Sequence, residues 1–147
     1  MPAIYATAAN SDTMRPQQPY ATSRRWAHFI PSGVMLLGIT YLSIFKTTVP
    51  LPLQDVALLD KWGHMLAYAV WALCLLTDCT RTHVPAKHVY TLSAAITLIY
   101  GALMELVQYF FCPLRQGEWL DWLADAIGIG LALLLFAGVK AILSHKR

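Results

Sequence analysis

Four apolar runs alternate with short polar segments along this 147-residue chain. The first covers about His28 to Phe45, with Pro31 near its start, where a missing N–H is tolerated, and Lys46 at its end. Pro50 and Pro52 interrupt any helix in the link that follows. The second covers about Asp60 to Asp78, which at ~1.5 Å per residue is ~28 Å, just enough to cross a hydrocarbon core of ~30 Å. The third covers about Val89 to Phe111 and the fourth about Trp119 to Leu143. The pattern predicts an all-α membrane protein, a bundle of four transmembrane helices over residues 27–147. Residues 1–26 contain Pro16, Gln17, Gln18 and Pro19 without an apolar period and read as a disordered cytoplasmic tail.

Within the runs the polar positions recur at helical spacing. Asp60, His64, Tyr68 and Trp71 form one stripe of the second helix. Ser93, Thr97, Gly101, Glu105 and Gln108 form one face of the third, and a face of small and polar residues in a membrane helix is the face that packs on other helices. Ala124, Gly128 and Ala132 make a comparable row on the fourth, beside Asp121 and Asp125 at its start. The seven-residue link after Phe111 makes helices three and four antiparallel neighbours.

Composition agrees with the pattern. Only 13% of the residues are charged and 57% are hydrophobic, whereas a soluble domain has about 25% charged residues. A chain this short has too much surface for the deficit to be explained by a larger core. The net charge is +3, and its placement is informative. With the N-terminus inside, the inner segments hold Arg15, Arg24, Arg25, Arg81, Lys87, Lys140, Lys146 and Arg147, while the outer segments hold only Lys46, Lys61 and Arg115. That asymmetry predicts a multi-pass protein of the cytoplasmic membrane with both termini cytoplasmic. It also excludes nucleic acid as a partner, since the basic residues are spread over tails and loops. Cys74, Cys79 and Cys112 show no paired spacing, so no disulfide framework is expected.

The charges inside the apolar runs change the picture. A charge at a helix centre costs on the order of 2.5–3.5 kcal/mol on insertion scales, so such groups persist where they are paired or face a cavity. The antiparallel order brings Asp60, Lys61 and His64, then Glu105 and Gln108, then Arg115, then Asp121 and Asp125 to the outer end of the bundle. The inner half offers few ionisable groups. These eight residues are the candidate ligand-binding set. Asp60 stands one turn before His64 and is expected to orient its imidazole. His64 and Glu105 are the candidates for proton transfer if the site is catalytic, and Glu105 is expected to pair with Arg115, Lys61 or His64 if its role is structural. One candidate histidine and no HExxH-like spacing predict no metal, and the absence of a glycine-rich phosphate loop leaves no cofactor implied.

The same residues resemble a known family. DKWGHMLAY (Asp60 to Tyr68), ELVQ (Glu105 to Gln108), Arg115 and DWLADAIG (Asp121 to Gly128) are similar to the VanZ-like pattern of D-K-x-x-H, E-x-x-Q and an Arg six residues before D-x-x-x-[N/D]-x-x-G. The likeness covers roughly residues 30–140, with Asp125 where many members carry Asn. It implies a small integral membrane protein of the cell envelope; the namesake of the family is linked to low-level resistance to teicoplanin-type glycopeptides. The expected partners are therefore membrane lipids and an amphiphilic envelope ligand. Two functions follow as expectations: binding an envelope lipid or glycopeptide-type ligand at the outer face, or an intramembrane enzyme acting on a lipid-linked substrate. A proton-coupled carrier is the weaker third, because it needs ionisable groups in the inner half.

Overall fold

The computed structural model of the chain describes residues 27–45, 59–82, 84–111 and 118–146. A 3-10 turn, Ala27–Phe29, leads into α1 (Ile30–Ile44); α2 (Leu59–Arg81), α3 (Ala86–Phe111) and α4 (Trp119–His145) follow. The described residues contain no strand. Each helix begins and ends within about one turn of the apolar run that predicts it. The expected disordered tail, the proline-containing link, Arg115 and Cys112 lie outside the described residues.

Three helical stretches, Ala27–Ile44, Ala86–Phe111 and Trp119–His145, are long and apolar enough to cross a membrane. They carry large exposed apolar side chains, among them Leu37 and Tyr41 on α1, Ile99 and Phe111 on α3, and Leu134 and Leu143 on α4. An apolar surface of that extent is unstable in water and suits contact with lipid tails. These are the features of a multi-pass membrane protein.

α2 differs from the other three. Asp60, Lys61, Asp78 and Arg81 lower its hydropathy, yet it supplies much of the core: Tyr68, Trp71, Ala72, Leu75, Leu76 and Cys79 are all buried. α2 contacts each of the other helices, and α4 most extensively. A helix that faces protein on several sides can carry polar groups that a lipid-facing helix cannot. The two backbones come close at Gly128 of α4, where a Cβ would run into the backbone carbonyl of Met65 on α2. Ala124 and Ala132, one turn to either side, are also buried, so the small-residue row is the α2–α4 seam.

An aromatic series continues the core. Tyr68 meets Trp71 edge-on at 5.8 Å, and Trp71 meets Tyr100 of α3 at 5.2 Å. The Tyr100 hydroxyl lies 2.5 Å from Thr40 Oγ1, which ties α3 to α1. At the far end of α2, Asp78 is buried and hydrogen-bonded by the Ser32 hydroxyl of α1. Asp78 is one of the few ionisable groups expected at that end. α2 runs on to Arg81, three residues beyond the expected end of the run, so Asp78 lies within its last turns and faces α1.

Candidate functional site

Three helix ends build the candidate site: the start of α2, the end of α3 and the start of α4. The antiparallel order α2–α3–α4 puts them at one end of the bundle, and the side chains connect them. Lys61 Nζ of α2 donates to Glu118 Oε2 at 2.9 Å and to Asp121 Oδ1 at 3.0 Å. Glu118 precedes α4 and occupies its N-cap position, and its backbone N–H donates to Glu105 Oε2 of α3 at 2.9 Å. One carboxylate oxygen of Glu105 thus satisfies a backbone donor beside the first turn of α4, where the helix dipole favours negative charge. Of the three partners expected for Glu105, Lys61 is taken by Glu118 and Asp121, His64 has a ligand atom within 4.8 Å, and Arg115 lies outside the described residues.

One turn further along α2, His64 Nδ1 lies 3.2 Å from Asp125 Oδ1 of α4. The imidazole also stacks on Tyr68, with ring centroids 6.5 Å apart. The partner that fixes the ring is therefore Asp125, across the seam, not Asp60 on the same helix. An i, i+4 pair places Cβ atoms together, but at the start of α2 Asp60 is exposed while His64 turns inward. Asp60 nevertheless keeps a carboxylate oxygen within 4.8 Å of the ligand atoms of His64 and Asp121.

Glu105 completes the group: one ligand atom each from His64, Glu105 and Asp125 lie within 4.8 Å of one another. Asp125 is fully buried. Its Oδ2 and Glu105 Oε1 are both shielded from solvent without a hydrogen-bond partner among the described residues. Oδ2 lies against α3, since a Cβ on Gly101 would stand 2.9 Å from it. Gly101 is one turn before Glu105 on the same face, so the absence of a side chain there leaves room for the Asp125 carboxylate next to Glu105.

Of the eight sequence-predicted residues, Asp60, Lys61, His64, Glu105, Asp121 and Asp125 are thus gathered at one end. Gln108 takes no part in their contacts: it is buried, and its amide donates to the Ser43 carbonyl of α1 at 3.0 Å. Its place is a tie between helices. Arg115 lies outside the described residues. Glu118, a polar residue of the same outer segment but not one of the eight, also belongs to the site through Lys61 and Glu105. Trp122 flanks the group and donates from Nε1 to the Leu98 carbonyl at 3.2 Å.

The described groups at this end comprise five carboxylates, on Asp60, Glu105, Glu118, Asp121 and Asp125, against Lys61 and His64. Lys61 is already engaged by two of the acids, so the interior part of the site has an excess of acceptors. Compared with known proteins, the chain matches no family model, no curated sequence and no solved structure.

Proposed function

We propose that this chain is a VanZ-like protein of the cytoplasmic membrane, with four spans and both termini cytoplasmic, that binds an amphiphilic envelope ligand at its outer face. The ligand is an envelope lipid or a glycopeptide-type molecule, and a role in glycopeptide resistance follows from the resemblance. The observation that carries the reading is the convergence of Lys61, His64, Glu105, Asp121 and Asp125 from two antiparallel partners and α2 onto one end of the bundle. α2, too polar to qualify as a span on composition alone, crosses with the others because Lys61, His64 and Asp78 face protein while Asp60 and Arg81 lie at its two ends.

The excess of carboxylates refines the ligand chemistry. The shielded oxygens of Glu105 and Asp125 that have no partner among the described residues favour amine and hydroxyl groups on the polar part of the ligand, while the acyl part lies among the exposed apolar residues of α3 and α4. The test is binding of a fluorescent teicoplanin-type lipoglycopeptide, and separately of an aminolipid, to the full chain in nanodiscs. Saturable binding of one of them is expected. Glu105→Gln keeps an acceptor for the Glu118 N–H and removes the charge, so affinity should fall about tenfold, equivalent to about 1.4 kcal/mol. Equal affinity in the variant, or no saturable binding of either probe, overturns the reading.

One observation favours an enzymatic alternative: the buried His64–Asp125 pair at 3.2 Å resembles a base held by an orienting carboxylate. In that case His64 and Glu105 share proton transfer on a lipid-linked substrate. Turnover of a radiolabelled envelope lipid would then be lost in His64→Ala, and the absence of product with the native protein counts against it.

A further inference from the structure

We infer that His64, Glu105 and Asp125 form a binding site for one divalent transition-metal ion of the zinc or manganese type. The site uses His64, Glu105 and Asp125 of the same cluster as the amphiphile reading, but it is tested with the inorganic ion alone, so the failure of one reading is distinguishable from the failure of the other.

The three ligand atoms come from three helices and lie within 4.8 Å of one another. Metal–ligand distances of about 2.0–2.2 Å put neighbouring ligand atoms in a tetrahedral site about 3.3 Å apart. His64 Nδ1 and Asp125 Oδ1, at 3.2 Å, already have that separation. Glu105, whose side chain has one more rotatable bond than that of Asp125, closes the remaining distance by a change of rotamer.

A cluster of acids alone would not point to a metal. The independent observation is the state of Asp125, which is 0% exposed and has an oxygen without a partner among the described residues. That oxygen lies over Gly101, on the same face of α3 as Glu105. Glu105 contributes a second shielded oxygen in the same condition. Leaving a buried acceptor unsatisfied costs about 1–3 kcal/mol, and more for a charged group. Two carboxylates and one neutral imidazole balance a dication, so the filled site has no net charge in a region of low dielectric.

The donor set decides the class of ion. A nitrogen ligand beside two carboxylates suits zinc or manganese, whereas magnesium and calcium prefer oxygen and water throughout. Three protein ligands leave a coordination position open. The neighbouring group of Asp60, His64 and Asp121 is the poorer candidate, because Asp121 is occupied by Lys61 and Asp60 is exposed. His64, Glu105 and Asp125 stand out in the sequence as polar positions, but spacing does not mark them as metal ligands, since they are spread over three helices and none follows a metal-binding motif.

The test uses the full chain in detergent, stripped with a chelator, reloaded with zinc or manganese alone, desalted and analysed by plasma mass spectrometry. About one ion per chain is expected to remain. His64→Ala and Asp125→Asn should each lower affinity about 10-fold to 100-fold or more in titrations against a competing chelating dye. Asp78→Asn, at the opposite end of α2, should bind as the native chain does. Zinc should also raise the unfolding temperature of the native chain where magnesium at the same concentration does not. No retained ion in the native chain overturns the proposal, as does equal retention in all variants or equal stabilisation by magnesium. The stability readout needs no variant to fold, so the proposal is decided even if His64→Ala does not.

Discussion

The Asp125 carboxylate occupies the space that the missing side chain of Gly101 leaves, with Oδ2 2.9 Å from where a Cβ would stand. A glycine in the middle of a helix is unfavourable by about 1 kcal/mol relative to alanine. Here it permits a buried acid of α4 to stand beside Glu105 and against His64. Gly101→Ala should therefore be destabilising despite its better helix propensity, by about 1–3 kcal/mol. Thermal unfolding in detergent checks this, and a rise in unfolding temperature would show that the space is not needed.

Gly128 and Gly138 lie on the same helix and should respond in opposite ways. A Cβ at Gly128 meets the Met65 backbone, which cannot move without separating α2 from α4, whereas nothing lies within 4 Å of a Cβ at Gly138. Gly128→Ala should abolish the monodisperse folded protein or lower its stability by at least about 1–3 kcal/mol. Gly138→Ala should be neutral or stabilise by up to about 1 kcal/mol. Size-exclusion profiles and unfolding curves of the pair, measured side by side, give the comparison.

Lys61 joins Glu118 and Asp121, and Asp121 is itself buried. Lys61→Met leaves Asp121 with a buried charge and no ammonium, and should cost about 1–3 kcal/mol. Asp121→Asn in the same chain should recover part of the loss, because it removes the unpaired charge. A double-mutant cycle on unfolding free energies measures the coupling; strict additivity would mean that the contact contributes nothing.

Ser32 and Asp78 form the corresponding tie at the other end of the bundle. Ser32→Ala removes the hydroxyl donor and should destabilise by about 1–3 kcal/mol. In Asp78→Asn the remaining carbonyl still accepts from Ser32, so that change should be the milder of the two. Unfolding temperatures of the two variants provide the check, and the reverse order would mean that the charge on Asp78 matters more than the hydrogen bond.

The helices were legible from the sequence because helix formation in an apolar chain is a local matter: backbone groups that cannot meet water bond within their own segment, and apolar runs of the right length mark where. The small-residue row of Ala124, Gly128 and Ala132 and the polar face of α3 were legible for the same reason, since residues three and four apart share a face whatever the neighbours do. The short links fixed the antiparallel order, and hence the gathering of the charged helix ends. Which charged group meets which was not legible. Asp60 and Asp125 are both plausible partners for His64 by spacing or depth, and only the rotation of α2 against α4, set by the Gly128 contact, turns His64 toward Asp125. The same rotation gives Lys61 to Glu118 and Asp121 and leaves Glu105 to the Glu118 backbone. The partners of Asp78 and Gln108 were not legible either, because they depend on what lies across the interface, here Ser32 and Ser43 of α1. Composition and periodicity thus determined the helices and their inward faces, and packing alone decided the pairs, because pairing distances depend on how whole helices seat against one another.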